Sequence, residues 1–193
     1  PRHTYIVLTK RAKRMREWFG AIAEEAAYPD VRCVGRAIDI AGWPLPNLEL
    51  GVSCSTQADL DKSVPDLLQT PAVRRIVSLE PLIGRINLYE SRAIVGNCPT
   101  HDHGIAMGGL GHVVGACNCP DGGAGDYCDG VDWVIVGGES GSRHRAMDID
   151  ALDLVVDQCQ AADVPVFVKQ DSGPRSGMQG RIPDDLWALK EFP

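Results

Sequence analysis

Five short apolar runs, each breaking off in polar residues, constrain this chain more than any other feature. The clearest is Asp132-Trp-Val-Ile-Val-Gly-Gly-Glu-Ser-Gly141, an unbroken apolar stretch that stops at Gly137, Gly138 and Glu139. A run without polar alternation reads as a strand buried on both faces. Adjacent glycines let a backbone approach closely, and they leave Glu139 at the strand's carboxyl end. In parallel α/β folds that end is where chemistry collects. Thr4 to Lys10 runs into Thr9, Lys10 and Arg11, and Asn47 to Cys54 into Ser53 and Cys54. Arg74 to Glu80 stops at Glu80 before Pro81, and Val164 to Gln170 closes on Lys169 and Gln170. These ends predict one shared concave polar face, although solvated strand ends give a similar pattern.

Helical patterns separate the runs. Residues 11–27 place Ala12, Met15, Trp18, Phe19, Ile22, Ala23 and Ala26 on one stripe. Thr56 with Asp59 caps a helix whose buried face is Leu60, Val64, Leu67 and Leu68. Asp148 or Asp150 caps another, carrying Leu152, Val155, Val156 and Cys159, and a terminal helical turn is expected from Pro183 to about Lys190. Alternating strands and helices specify a parallel sheet with right-handed crossovers. The expected fold is therefore α/β, with residues 1–96 and 131–193 forming its body.

Between these lies a segment of another kind. Residues 97–130 are rich in Gly, Cys and His and hold too few large apolar side chains to build a core. Cys98, His101, Cys117, Cys119 and Cys128 offer the N and S donors of a tetrahedral, structural zinc site, which would replace the missing burial. A loop with free thiols, or a redox or cluster role, are the competing readings. Cys33, Cys54 and Cys159 sit among apolar neighbours and read as buried thiols.

Net charge of −7 argues against broad binding to a nucleic-acid backbone, and no basic and aromatic patch is visible. No apolar run is long enough to span a bilayer, and no signal peptide is recognisable, so a cytoplasmic protein without a membrane partner is expected. Pro1 leads almost directly into a strand, from which a missing upstream portion is expected.

Leu8-Thr-Lys-Arg11, Leu45 to Ser53, Leu68-Gln-Thr-Pro71, Ser78-Leu-Glu-Pro-Leu82 and Trp133 to Gly141 occur in this order, followed by Asp157-Gln-Cys159, Val164 to Gln170 and Phe192-Pro193. The set resembles a phage- and prophage-encoded family of unassigned function whose members look like radical S-adenosylmethionine (SAM) enzymes on a partial TIM-like barrel. The resemblance covers nearly the whole chain outside residues 97–130. It implies a parallel-stranded partial (β/α) barrel, SAM as cofactor, an iron–sulfur cluster and, for a phage product, the host cytoplasm. Two departures stand out. The family's amino-terminal three-cysteine motif has no counterpart here, and Arg145-Ala-Met147 replaces an Arg-Pro-Met. The first strands of such a barrel would then be missing. Five strands cannot close a barrel, so the strand from Thr4 to Thr9 is expected to present a bare edge, covered by an upstream segment or a second chain, a homo-oligomer included.

On this reading the chain is the carboxyl-terminal part of a radical-SAM-like enzyme. Glu80 and Glu139 would accept hydrogen bonds from amino groups of a SAM-like moiety or a substrate, Lys10 and Lys169 would engage its carboxylate or a phosphate, and Gly137 and Gly138 would permit close contact. Ser140, Arg143 and Arg145 follow as an anion-binding loop or, on the plainer reading, a solvated one, and a Lys–Glu pair is the plainer alternative for each glutamate. The competing functions are a zinc-stabilised, non-enzymatic interaction module, and a hydrolase or lyase using Glu80 and Glu139 as acid and base.

Overall fold

The computed structural model describes residues 2–23, 43–94 and 130–193. Five parallel strands pair in chain order: β1 (Tyr5–Thr9), β2 (Leu48–Cys54), β3 (Arg75–Leu79), β4 (Trp133–Gly137) and β5 (Val166–Gln170). The helices are α1 (Ala12–Ala23), α2 (Gln57–Leu68), α3 (Ile149–Ala161) and the single turn α4 (Asp184–Trp187). The α/β expectation therefore stands as one open parallel sheet with helices, in which β1 and β5 are not paired to each other.

Alternation along each strand assigns the two faces. Leu50 and Val52, Val77 and Leu79, Val134 and Val136, and Val166 and Val168 join one core with Met15, Leu60, Val64, Leu152 and Val155 of the helices. The positions between them, such as Gly51, Ser78, Gly137 and Lys169, lie on the opposite face. β4 is buried along almost its whole length, as its unbroken apolar run requires. Burial of the Leu, Ile, Val and Met side chains stabilises by roughly 1.5–3 kcal/mol each against leaving them in water, and is the main term holding the helices to the sheet.

Local signals set the helix starts. Thr56 Oγ1 accepts from the Asp59 N–H while the Asp59 carboxylate accepts from the Thr56 N–H, completing a capping box before α2. Asp148 caps α3 by accepting from the Asp150 N–H. Buried Gln158 of α3 donates to the Ile86 carbonyl at 2.9 Å and accepts from the Leu88 N–H at 2.8 Å, tying down the segment after β3.

Two expectations are corrected. Trp18 does not join the buried stripe of α1; it is 40% exposed and stands edge-on to Phe19. The terminal helical turn stops at Trp187 rather than about Lys190, because the following residues turn back and pair with β5, Lys190 forming an antiparallel bridge with Phe167. Ala26 and the end of the predicted first helix lie outside the described residues, as do Cys33 and the whole of 97–129.

Candidate functional site

Glu80 follows β3 and Lys169 belongs to β5, so β4 runs between them. Two strand spacings separate such positions by about 10 Å, and a side chain on β4 would stand in the gap. Gly137 leaves the gap empty: a Cβ placed there would lie 3.1 Å from Glu80 Oε1 and 3.3 Å from Gln170 Cγ. Across it, Lys169 Nζ reaches Glu80 Oε1 at 3.0 Å and Oε2 at 3.2 Å. Ser78, two residues before Glu80 and so on the same face, donates its hydroxyl to Oε2 at 2.9 Å. The Glu80 side chain is only 17% exposed while that of Lys169 is 48% exposed. The result is a largely enclosed carboxylate held by a buried hydroxyl below and a mobile-stemmed ammonium above.

Toward β1 the polar rim continues. Ser53 Oγ points at the Glu80 carbonyl and Lys10 Nζ at the Ser53 carbonyl, each at the long distance of 3.4 Å. Lys10 is exposed and makes no ion pair among the described residues, although the Asp59 carboxylate lies near enough to feel its charge. Its ammonium is therefore available to an anion.

Glu139 is placed differently. Its carboxylate takes Arg145 Nε at 2.7 Å, Nη2 at 3.0 Å and the Arg145 N–H at 2.9 Å, closing the loop that follows β4. The Arg145 side chain, then its N–H, holds the Glu139 carboxyl down at about 2, well below the ordinary 4.5. No hydrogen bond or ion pair joins Glu139 to Glu80, Lys10 or Lys169 among the described residues.

Gly138 and Ser140 serve the join between β4 and β5. A Cβ on Gly138 would come within 2.3 Å of the Ser172 backbone nitrogen, so this glycine permits two backbones to touch. Ser172 Oγ accepts from the Glu139 N–H at 3.1 Å, and Ser140 forms a parallel bridge with Gly173. Of the expected site, then, Glu80, Lys169 and Gly137 meet, Lys10 flanks them, and Glu139, Gly138 and Ser140 form a neighbouring structure.

Two polar residues at this end, Ser78 and Asp171, are not among the strand-end groups that the sequence pattern picks out. Ser78 carried a signal, its place two residues before Glu80 in the same run. Asp171 carried less, and it lies beside Gln170, one of the polar strand ends. Gln170 Nε2 donates to the Gly138 carbonyl at 2.9 Å and its Oε1 accepts from the Gly177 N–H at 2.9 Å. Asp171, 1% exposed, is gripped by Arg181 through Nε at 3.0 Å and Nη2 at 2.8 Å. Burial pushes the Asp171 carboxyl up, but the Arg181 side chain and the N–H groups of Arg181 and Ser172 outweigh it and hold it below its ordinary value.

Cys98, His101, Cys117, Cys119 and Cys128 lie outside the described residues. Among the described residues no group of three or more His, Cys, Asp or Glu is arranged to hold a metal ion. Cys54 and Cys159 are buried free thiols, as expected, and burial pushes them up to about 11 and about 12. They are core side chains, unreactive at neutral pH. No helix among the described residues is long and apolar enough to cross a membrane.

The profile of a family described as protein of unknown function (DUF5131) matches residues 1–181. The chain belongs to that family. No curated protein and no solved structure matches it. Family membership thus carries no reaction, and the chemistry has to be read from Glu80, Lys169 and their surroundings.

Proposed function

We propose that the chain is the carboxyl-terminal part of a radical-SAM-like enzyme of phage origin, built on part of a TIM-like barrel. Its strand ends bind the polar moiety of SAM or of a substrate. The observation that carries this reading is the Glu80–Lys169 pair, assembled across Gly137 at the carboxyl ends of parallel strands. Strict order from β1 to β5 with helices packed on one face is what an arc of a (β/α) barrel requires, whereas a doubly wound sheet reverses its order and covers both faces. Glu80 would accept from an amino group, and Lys10 would meet a carboxylate or phosphate.

The described residues do not fit an iron–sulfur cluster. Their cysteines, Cys54 and Cys159, are buried and belong to no metal-binding group, so no step is derived through a cluster. A structural zinc held by four of Cys98, Cys117, Cys119, Cys128 and, as first substitute, His101 belongs to the same reading. Acid–base hydrolysis by Glu80 and Glu139 together is not supported, because Glu139 is committed to Arg145.

A second reading rests on its own observation. Tyr5, Ile6, Val7 and Leu8 of β1 are 58%, 46%, 41% and 41% exposed, and a groove of about 590 Å³ beside them is lined by Val7, Met15, Trp18 and Phe19. Such an edge is a place for another polypeptide, an upstream segment or a second chain, and it suits an interaction module as well as an enzyme. Light scattering after size-exclusion chromatography tests this part; a stable monomer at high concentration counts against it.

For the enzyme reading, SAM calorimetry on the chain, with iron analysis of the protein as its gene encodes it, is the deciding experiment. SAM is expected to bind, and Glu80→Gln to weaken it about tenfold or more, the worth of one charge-assisted hydrogen bond. No iron and no SAM binding would sink it.

A further inference from the structure

The exposures within the central ion pair are unequal, and the inequality has a use. The Glu80 side chain is largely enclosed, at 17% exposed, whereas Lys169, 48% exposed on a long stem, is the freer partner. An enclosed carboxylate without a counter-charge is costly, so an empty site needs a cation there. A ligand ammonium could take the same position on Oε1 and Oε2, while Lys169 swings into water at small cost. Ser78 stays on Oε2 throughout, and Gly137 keeps the approach across β4 clear.

We propose that Lys169 is a built-in stand-in for the ligand's own ammonium group, so that the site selects ligands with a free primary amine and rejects similar ones without it. The proposal rests on the small-molecule reading of this site but not on SAM being the ligand. It makes Lys169 a competitor of the ligand, opposite in effect to a lysine that holds the ligand's carboxylate. Lys10, which makes no ion pair among the described residues, is left for that second task.

Lys169→Met separates the two roles. Calorimetry with SAM and with methylthioadenosine, which keeps the nucleoside and thioether but lacks the amino acid, is expected to give a clear pattern. Lys169→Met tightens SAM about two- to fivefold, the binding equivalent of releasing a partly exposed ion pair, and leaves methylthioadenosine unchanged. Glu80→Gln should bring the two ligands toward equal affinity. If Lys169→Met weakens SAM, or Glu80→Gln keeps the preference, the stand-in is wrong although the SAM reading survives.

Ethylammonium chloride is the probe that does not depend on SAM. Titrated against sodium chloride at equal ionic strength, it should shift the Ser78 and Gly137 amide resonances, at lower concentration in Lys169→Met than in the parent. With that response and no SAM binding, the stand-in holds and the SAM reading falls. If ethylammonium does no more than sodium in Lys169→Met, the proposal is overturned whatever SAM does.

Discussion

At one edge of the sheet β5 is covered by the chain's own last residues, while at the other no described segment lies along β1. Val168 donates its N–H to the Leu189 carbonyl at 2.9 Å, and Glu191 donates to the Val166 carbonyl at 3.2 Å. Trp133 Nε1 donates to the Glu191 carbonyl at 3.0 Å, and Lys190 Nζ donates to the Val168 carbonyl while lying over the Trp187 ring. Among the described residues β1 has no such strap: Tyr5 donates to the Asn47 carbonyl on the β2 side, and no described strand pairs with its outer edge. The sequences Tyr-Ile-Val-Leu-Thr and Val-Phe-Val-Lys-Gln differ little in apolar character, β1 if anything carrying more. Their burial is opposite, exposed for β1 and largely buried for β5. Strand composition therefore does not decide how an edge is finished; whatever else in the chain returns to it does.

The largest predicted difference between the two sides comes from Arg181, which neutralises the enclosed Asp171 just beyond β5. Arg181→Ala should cost about 2–4 kcal/mol in urea unfolding, less than a fully buried pair because about half of Arg181 meets water. Arg14→Ala, at an exposed position of α1 lining the groove beside β1, should stay within about 0.5 kcal/mol. Equal losses would erase the contrast. Deleting residues 189–193 should cost roughly 2–3 kcal/mol through lost hydrogen bonds and should give β5 the exposed edge that β1 already has, seen as concentration-dependent association in light scattering. An unchanged unfolding midpoint would mean the strap is only draped over the edge. A matched pair sharpens the point: Val166→Ala should lose about 2 kcal/mol and Val7→Ala under about 0.5 kcal/mol, since only the first leaves a cavity.

The smallest effect is the acid limb. Asp171 is held below its ordinary 3.8 in the folded chain, so its contribution is complete above that pH and is lost as pH falls through the lowered value. Unfolding midpoints measured from pH 6 downward should therefore show an acid slope that Arg181→Ala flattens. A slope of the same size in both would place the titrating group elsewhere.

Much of this was legible residue by residue. The five runs, the Thr56–Asp59 box, a cap at Asp148 or Asp150 and the buried thiols of Cys54 and Cys159 all follow from local pattern, which acts over a few positions of chain. Glu80 and Lys169 were each visible as polar strand ends. Their pairing, 89 residues apart in sequence, was not, since it depends on β4 entering between β3 and β5 with a glycine at the crossing point. The partner of Glu139 was hidden in a similar way: Arg145, six residues on, reaches it only when the loop after β4 folds back.

Gly137 and Gly138, side by side in sequence, have separate tasks that the sequence alone cannot divide. One leaves room for a carboxylate and the other for the backbone at Ser172. By itself, the sequence determined that there would be buried parallel strands, where their helices begin, and that polar groups would gather at the strand ends, because periodicity, capping and burial act locally. Only the tertiary structure decided which of those groups meet, which glutamate is spoken for, and which edge of the sheet is covered. Those outcomes depend on register and chain return between residues far apart, and no local pattern encodes them.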